Sequence, residues 1–520
     1  MRGASPNHRS APSAGAPGTL RLTEYPLRGV PWTSGVLGDR SEAGGRGIVT
    51  QDQQTQPPEP PQNPDETDSV ATRFATPVEA APQKPRDKHL YQIDFVRLVT
   101  FAAVILDHVL LGIATGTDVG AGALGLLLRY TRYSFFALTG FVLTYQYRDR
   151  ELKPLTFWRR RYKLIGLPFV VWSLFYWVYG HYRAGGMTGL GDLVDSPDSV
   201  ATSLKSIGYD LVTGNAWYHL YFLSVSMQIY AVFPLVLIVL RKTWGYHRYL
   251  LLVSFAAQAT LMYMMVRPPL DFFTHGPQQT LWTHLVATIL PYQFFVFAGC
   301  VAAMHYPAFQ RFMIRWRLPL IAGAFVVIAI TLLYYLHETN IGETIFRATN
   351  VFMLHNTFAY IAIIIILYCL GTVWQDRRTK GSIPDNFMRT AADRSFGIYL
   401  AHALALSELM PIIAEHRDLP TWPLILVAYV GTVAVTIFIV EVLRRSPISL
   451  ITTGRSTIDW RTQNAGRSIA VATVAIALGV LLRVVFTALV GDLIVATGAL
   501  LLASACLVFW RQRRAATAAL

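Results

Sequence analysis

The chain has 520 residues, of which 53% are hydrophobic and 15% charged, with a mean hydropathy of +0.38; a soluble domain carries about a quarter charged residues. Apolar runs of about twenty residues recur from about residue 95 to residue 510, long enough to cross a bilayer. The formal net charge of +14 could serve nucleic acid, but Lys and Arg stand in short groups between the apolar runs, as topology signals do, which excludes a nucleic-acid partner.

In chain order, residues 1–88 come first and are rich in Pro, Gly, Ser, Gln and Ala, including the run Gln56-Pro57-Pro58-Glu59-Pro60-Pro61. Such a segment buries too little apolar surface to offset chain entropy and reads as a disordered cytoplasmic tail. It lacks the apolar stretch and small-residue cleavage site of a signal peptide, so the first hydrophobic helix is expected to target the protein itself. The spans are expected at 93–114, 126–147, 164–180, 217–240, 249–266, 284–304, 318–336, 350–372, 394–413, 423–443, 468–490 and 492–510. The fold class is therefore all-α, a polytopic transmembrane helical bundle of about twelve spans.

Basic groups follow every second span. They include Lys84, Arg86 and Lys88; Arg148 to Lys163; Arg241, Lys242 and Arg248; Arg311, Arg315 and Arg317; Arg377 to Arg389; Arg444, Arg445 and Arg455; and Arg511 to Arg514. By the positive-inside rule both termini are cytoplasmic, and the loop 181–216 faces outward. The three cysteines, Cys300, Cys369 and Cys506, lie in apolar segments without metal-ligand spacing and read as buried structural thiols; no metal site is expected. No internal repeat is visible, which weighs against a repeat-built transporter.

The first span, from Tyr91 to His108, carries four ionisable groups: Asp94, Arg97, Asp107 and His108. The eleven steps from Arg97 to His108 make about three turns plus 20°, with a separation of about 16 Å along the axis, so both side chains share one face. Asp94 belongs to that face and is placed to pair with Arg97, whereas Asp107 projects about 100° away from His108. Ionisable groups inside a span are costly against lipid and ordinarily meet a cavity or a partner. A snorkelling Arg97 and a helix-bonding His108 are the alternative readings.

Arg97, ten residues and His108, after Ile93-Asp94, resemble the signature of the acyltransferase-3 superfamily. Further segments resemble it in the same order. They are Ser134-Phe135-Phe136-Ala137-Leu138-Thr139-Gly140-Phe141, Phe157 to Lys163 followed by Pro168, Trp217-Tyr218-His219-Leu220-Tyr221-Phe222-Leu223, and Ser395-Phe396-Gly397-Ile398-Tyr399-Leu400-Ala401-His402. Thr139 stands where Ser is usual, and Leu164, beside Lys163, stands where the family has a second Arg.

The resemblance covers residues 89–455 and implies a ten-helix core, leaving 456–520 as an extra hairpin with a short cytoplasmic tail. It implies an enzyme of the plasma membrane that moves an acyl group, acetyl foremost, from cytosolic acyl-CoA to a hydroxyl of an envelope glycan or glycolipid, with acyl-CoA as donor substrate and no bound cofactor. By the same resemblance His108 is catalytic and Arg97 supports activity. A base must take the acceptor's proton, and neutral imidazole suits that task. Arg97, Arg161 and Lys163 are candidate contacts for the donor's phosphates, while Asp94, Asp107, His219, Tyr399 and His402 are candidate cavity-lining residues. Arg129 and Arg132 fall near the outer end of the second span, as interfacial anchors or glycan contacts. A small secreted metabolite as acceptor, and a twelve-span transporter or glycan-lipid flippase, remain the rival functions. No Gly-x-Ser-x-Gly elbow, Walker loop or His-Glu-x-x-His is present.

Overall fold

The computed structural model describes residues 89–267, 276–486 and 489–517. The expected tail at 1–88, with Lys84, Arg86 and Lys88, lies outside them. The described chain is helical, with no strand among those residues. The helices are α1 (Tyr91–Ile113), α2 (Val119–Leu128), α3 (Tyr130–Tyr147), α4 (Pro154–Arg161), α5 (Leu167–Gly191), α6 (Pro197–Thr213), α7 (Tyr221–Lys242), α8 (His247–Val266), α9 (Gly276–Thr283) and α10 (Gln293–Met304). They continue as α11 (Tyr306–Arg315), α12 (Arg317–Asn340), α13 (Ile345–Ala348), α14 (Leu354–Arg377), α15 (Ile383–Glu415), α16 (Thr421–Arg445), α17 (Ser449–Thr453), α18 (Ala465–Phe486) and α19 (Leu489–Thr517). Local chemistry sets several starts: Asp118, Ser196 and Ser382 accept a backbone N–H at the heads of α2, α6 and α15, and proline sits in the first turn of α4, α6 and α15.

Ten of these helices, or stretches of them, are long and apolar enough to span, and eleven if α9 and α10, bent by 41° at their junction, count as one broken span. The second expected span, 126–147, does not reach that standard. It is split between α2 and α3, and the 18 residues of α3 include an arginine, a glutamine, four tyrosines and three threonines. The third expected span also differs, since α4, a five-residue π-helical turn (Tyr162–Gly166) and α5 run on as one 38-residue unit from Pro154 to Gly191. Much of the expected outer loop is helical too, as the end of α5 and as α6.

Despite its polarity α3 lies at the centre, because α10 covers it at backbone contact. A Cβ on Gly140 would collide with the carbonyl of Val296, and one on Gly299 with that of Ala137; small residues let membrane helices approach this closely. Arg148 at the end of α3 donates to Ala303 O at 2.8 Å, and Arg241 at the end of α7 donates to Tyr147 O at 2.8 Å. Gln92 at the start of α1 meets Tyr306, Arg317 at the start of α12 meets Asp376 near the end of α14, and Arg394 in α15 meets Glu441 in α16. The basic segments of alternate connections are thereby gathered at one end of the bundle. At the other end Tyr335 donates to Val119 O and Arg417 to Gly112 O. The hairpin α18–α19 packs on α16 through Val442, Ala472 and Leu501. Cys300 and Cys369 are buried as expected, whereas Cys506 is exposed, because this position of α19 turns away from the core.

Candidate active site

The Arg97 face of α1 forms one wall of the site. Thr100, Phe101, Val104 and His108 line a cavity of about 20 Å³, closed by Thr131 and Phe135 from α3, His219 and Phe222 at the head of α7, and Tyr399 from α15. Thr100 is tied to Ser134 at 3.1 Å. A cavity of that size holds about one water. One turn beyond Thr100 and Phe101, toward the basic end, Arg97 pairs with Asp94 at 3.3 Å as its spacing predicts, and its side chain keeps 30% exposure.

His219 and His402, distant in sequence, both come to His108. The imidazole of His108 stacks on that of His402 with ring centres 5.5 Å apart and lies 4.6 Å from the Tyr218 ring, while His219 is 5.0 Å from His402. His402 Nδ1 lies 2.6 Å from Tyr399 O. A carbonyl only accepts, so Nδ1 carries the proton and Nε2 keeps its lone pair. That Nε2 and both ring nitrogens of His219 are buried and unpaired among the described residues. Buried polar atoms are ordinarily bonded, so such a concentration marks a place where a reacting group belongs. The Tyr399 hydroxyl donates to His219 O and so pins the turn before α7 against α15.

Tyr176 of α5 was not singled out by any motif. Its hydroxyl donates to Leu400 O at 2.8 Å and accepts from Leu404 N at 3.1 Å, inserting into the main-chain ladder of α15 beside His402. Inserted side chains are a recognised cause of helix distortion. Trp217 stacks on Tyr176 at 5.1 Å, so the segment carrying Tyr218 and His219 and the turn carrying His402 rest on one residue.

Asp107 points elsewhere, as its offset predicts: it is buried, and the charges near it are Arg129 and Arg132. Arg129 donates to Thr349 O, in the connection before α14, so it braces the bundle rather than reaching outward. At the basic end Arg97 and Arg161 both lie within electrostatic reach of Tyr230. Arg161 donates to Gln146. Lys163 is exposed on the π-helical turn. Arg455, which reads in sequence only as part of a topology signal, lies in reach of Arg97 and 3.6 Å from Asp393. It follows Gly454 (φ 65°), whose Cβ position is blocked by the Leu164 carbonyl of the π-helical turn. No cluster that could hold a metal ion occurs among the described residues.

In comparison with known proteins, a family model described as Acyltransferase domain matches residues 90–441. No curated protein and no solved structure matches the chain.

Proposed function

Since the chain belongs to the acyltransferase-3 family and is a multi-pass membrane acyltransferase, we propose that it moves an acyl group, acetyl foremost, from cytosolic acyl-CoA to a hydroxyl of a cell-envelope glycan or glycolipid. The observation that carries this reading is the meeting of His108 and His219 at a cavity that runs along the same face of α1 as Arg97, with His402 packed against both imidazoles. His108 takes the proton of the acceptor hydroxyl as that oxygen attacks the thioester carbon; the C–O bond forms, the C–S bond breaks, and the thiol leaves with a proton. His402, with its lone pair on Nε2, is a neighbouring site to which that proton can pass. The basic end is cytoplasmic, which sets the polyanionic donor beside Arg97, Arg161 and Arg455 and leaves the acceptor to arrive from the other side. A cavity of one water's volume admits an acyl group only when its aromatic walls shift, so donor binding includes an opening step.

The test uses purified protein in liposomes with acetyl-CoA. His108→Ala is expected to lower turnover about a hundredfold or more while donor affinity stays near that of the wild type. Arg97→Ala is expected to weaken donor use, and Arg97→Lys to restore it only in part, since a point charge does not replace a guanidinium fork. Near-normal transfer by well-inserted His108→Ala would refute the mechanism, and no acetyl-CoA consumption by the wild type would refute the donor assignment.

A further inference from the structure

A second, larger cavity lies away from the three histidines, at the basic end where the hairpin joins the core. It measures about 280 Å³ and lies between the end of α16, the linker 456–463 and α19. Ser504, Leu507, Val508 and Arg511 form its α19 wall; spacings of three, four and seven put them on one helix face. Ile458 and Trp460 supply the opposite wall, and Arg445 closes the core side.

The walls are fixed before any ligand arrives. Ile458 N donates to Arg444 O at 3.1 Å and Thr457 Oγ1 to Ser446 O at 3.1 Å, which ties the linker to the core. Gln512 Nε2 donates to both Trp460 O and Gln463 O at 2.9 Å, which ties it to α19. A pocket pinned on both sides does not have to be ordered by its occupant.

Its chemistry is amphipathic with a cationic rim. Arg445 is held by Glu441, and Asp459, which also lines the cavity, accepts from Arg461 N at 3.0 Å. Arg511 is exposed and enters no ion pair among the described residues. It stands where the apolar run of α19 ends, beside the half-exposed Trp510, and Trp and Arg together mark the level of lipid headgroups. Leu507 and Phe509, both more than a third exposed, continue from the mouth along the surface that faces lipid.

We propose that this pocket binds the headgroup of an anionic phospholipid of the basic-side leaflet, with the phosphodiester on Arg511 and Arg445, the glycerol against Trp460 and Ile458, and the acyl chains lying along α19. Basic pockets between membrane helices recognise such headgroups, and guanidinium binds phosphate with two parallel hydrogen bonds. The volume lies just below the usual range for small-molecule sites and suits a headgroup rather than a whole lipid. The bound lipid joins the hairpin to the core, and this role stands apart from the acyl-transfer reading.

The test is native mass spectrometry and thermal unfolding of the full chain in micelles carrying phosphatidylcholine alone or with phosphatidylglycerol. Wild type is expected to retain phosphatidylglycerol selectively and to unfold at a higher temperature with it. Arg511→Gln is expected to weaken that retention about tenfold or more. Ser504→Leu, which fills the cavity without touching a charge, is expected to do the same, so the proposal stays testable if either variant fails to insert. Arg514→Gln, outside the pocket, serves as control and should change nothing. Equal retention of the two lipids, or Arg511→Gln and Ser504→Leu both matching the control, would overturn the proposal. So would equal stabilisation by inorganic phosphate or by CoA in place of the lipid.

Discussion

At the level of single residues, His402 has the stronger orientation of the two histidines that accompany His108. Its Nδ1–H is held by the Tyr399 carbonyl, and its Nε2 is left toward the cluster. His402→Asn keeps a donor near the Nδ1 position and deletes the Nε2 lone pair. If that lone pair handles the proton, turnover falls about tenfold to a hundredfold with thermal stability near that of the wild type; unchanged turnover in liposome assays would reduce His402 to a packing residue. The pairing of Arg97 with Asp94, the shared face of Arg97 and His108 and the divergence of Asp107 were all legible in the sequence, because each is a matter of helical angle within one helix. The meeting of His108 with His219 and His402 was not: it depends on how α1, α7 and α15 pack, which no local period encodes. Tyr176 was invisible for a further reason. A tyrosine in an aromatic stretch of α5 looks the same whether its hydroxyl faces lipid or enters another helix.

At the level of elements, the apolar runs gave most spans directly, since length and hydropathy are properties of one segment. α3 shows where that reasoning stops. Its tyrosines, threonines and Arg132 are tolerated in the bundle because neighbouring helices cover them: Tyr133 donates to Val351 O at 2.9 Å, and the Gly140 and Gly299 surfaces bring α10 to backbone contact. Gly299→Leu is therefore expected to force the two helices apart and to abolish recovery of folded, monodisperse protein, while Gly323→Leu, at an open position of α12, should be recovered normally. Size-exclusion profiles of the two variants decide the matter, and a normal profile for Gly299→Leu would show that α3 does not depend on this contact. The π-helical turn at Tyr162–Gly166 was likewise unforeseen. It falls where the sequence departs from the family pattern at Leu164, and it brings the carbonyl of that residue against Gly454, next to Arg455.

At the level of the whole molecule, the contacts collect every described basic connection at one end, and the positive-inside rule assigns that end to the cytoplasm. In a background with Cys300, Cys369 and Cys506 replaced, Leu155→Cys should react with a membrane-impermeant maleimide only from the cytoplasmic side and Val194→Cys only from outside; both positions are exposed. Reversed labelling would invert the topology and with it the side from which the donor arrives. The partnership of α3 and α10 also has a consequence in time. Gly140 leaves the ribosome 159 residues before Gly299, which at about 5–20 residues per second is an interval of about 8–30 s. During that interval a helix with an arginine and several hydroxyls has no α10 to cover it, and lipid is a poor substitute. The nascent chain must therefore keep α3 at the membrane surface, or in contact with an insertion factor, until the second half of the bundle arrives. Synthesis that stalls between α7 and α10 would strand an incompletely inserted protein.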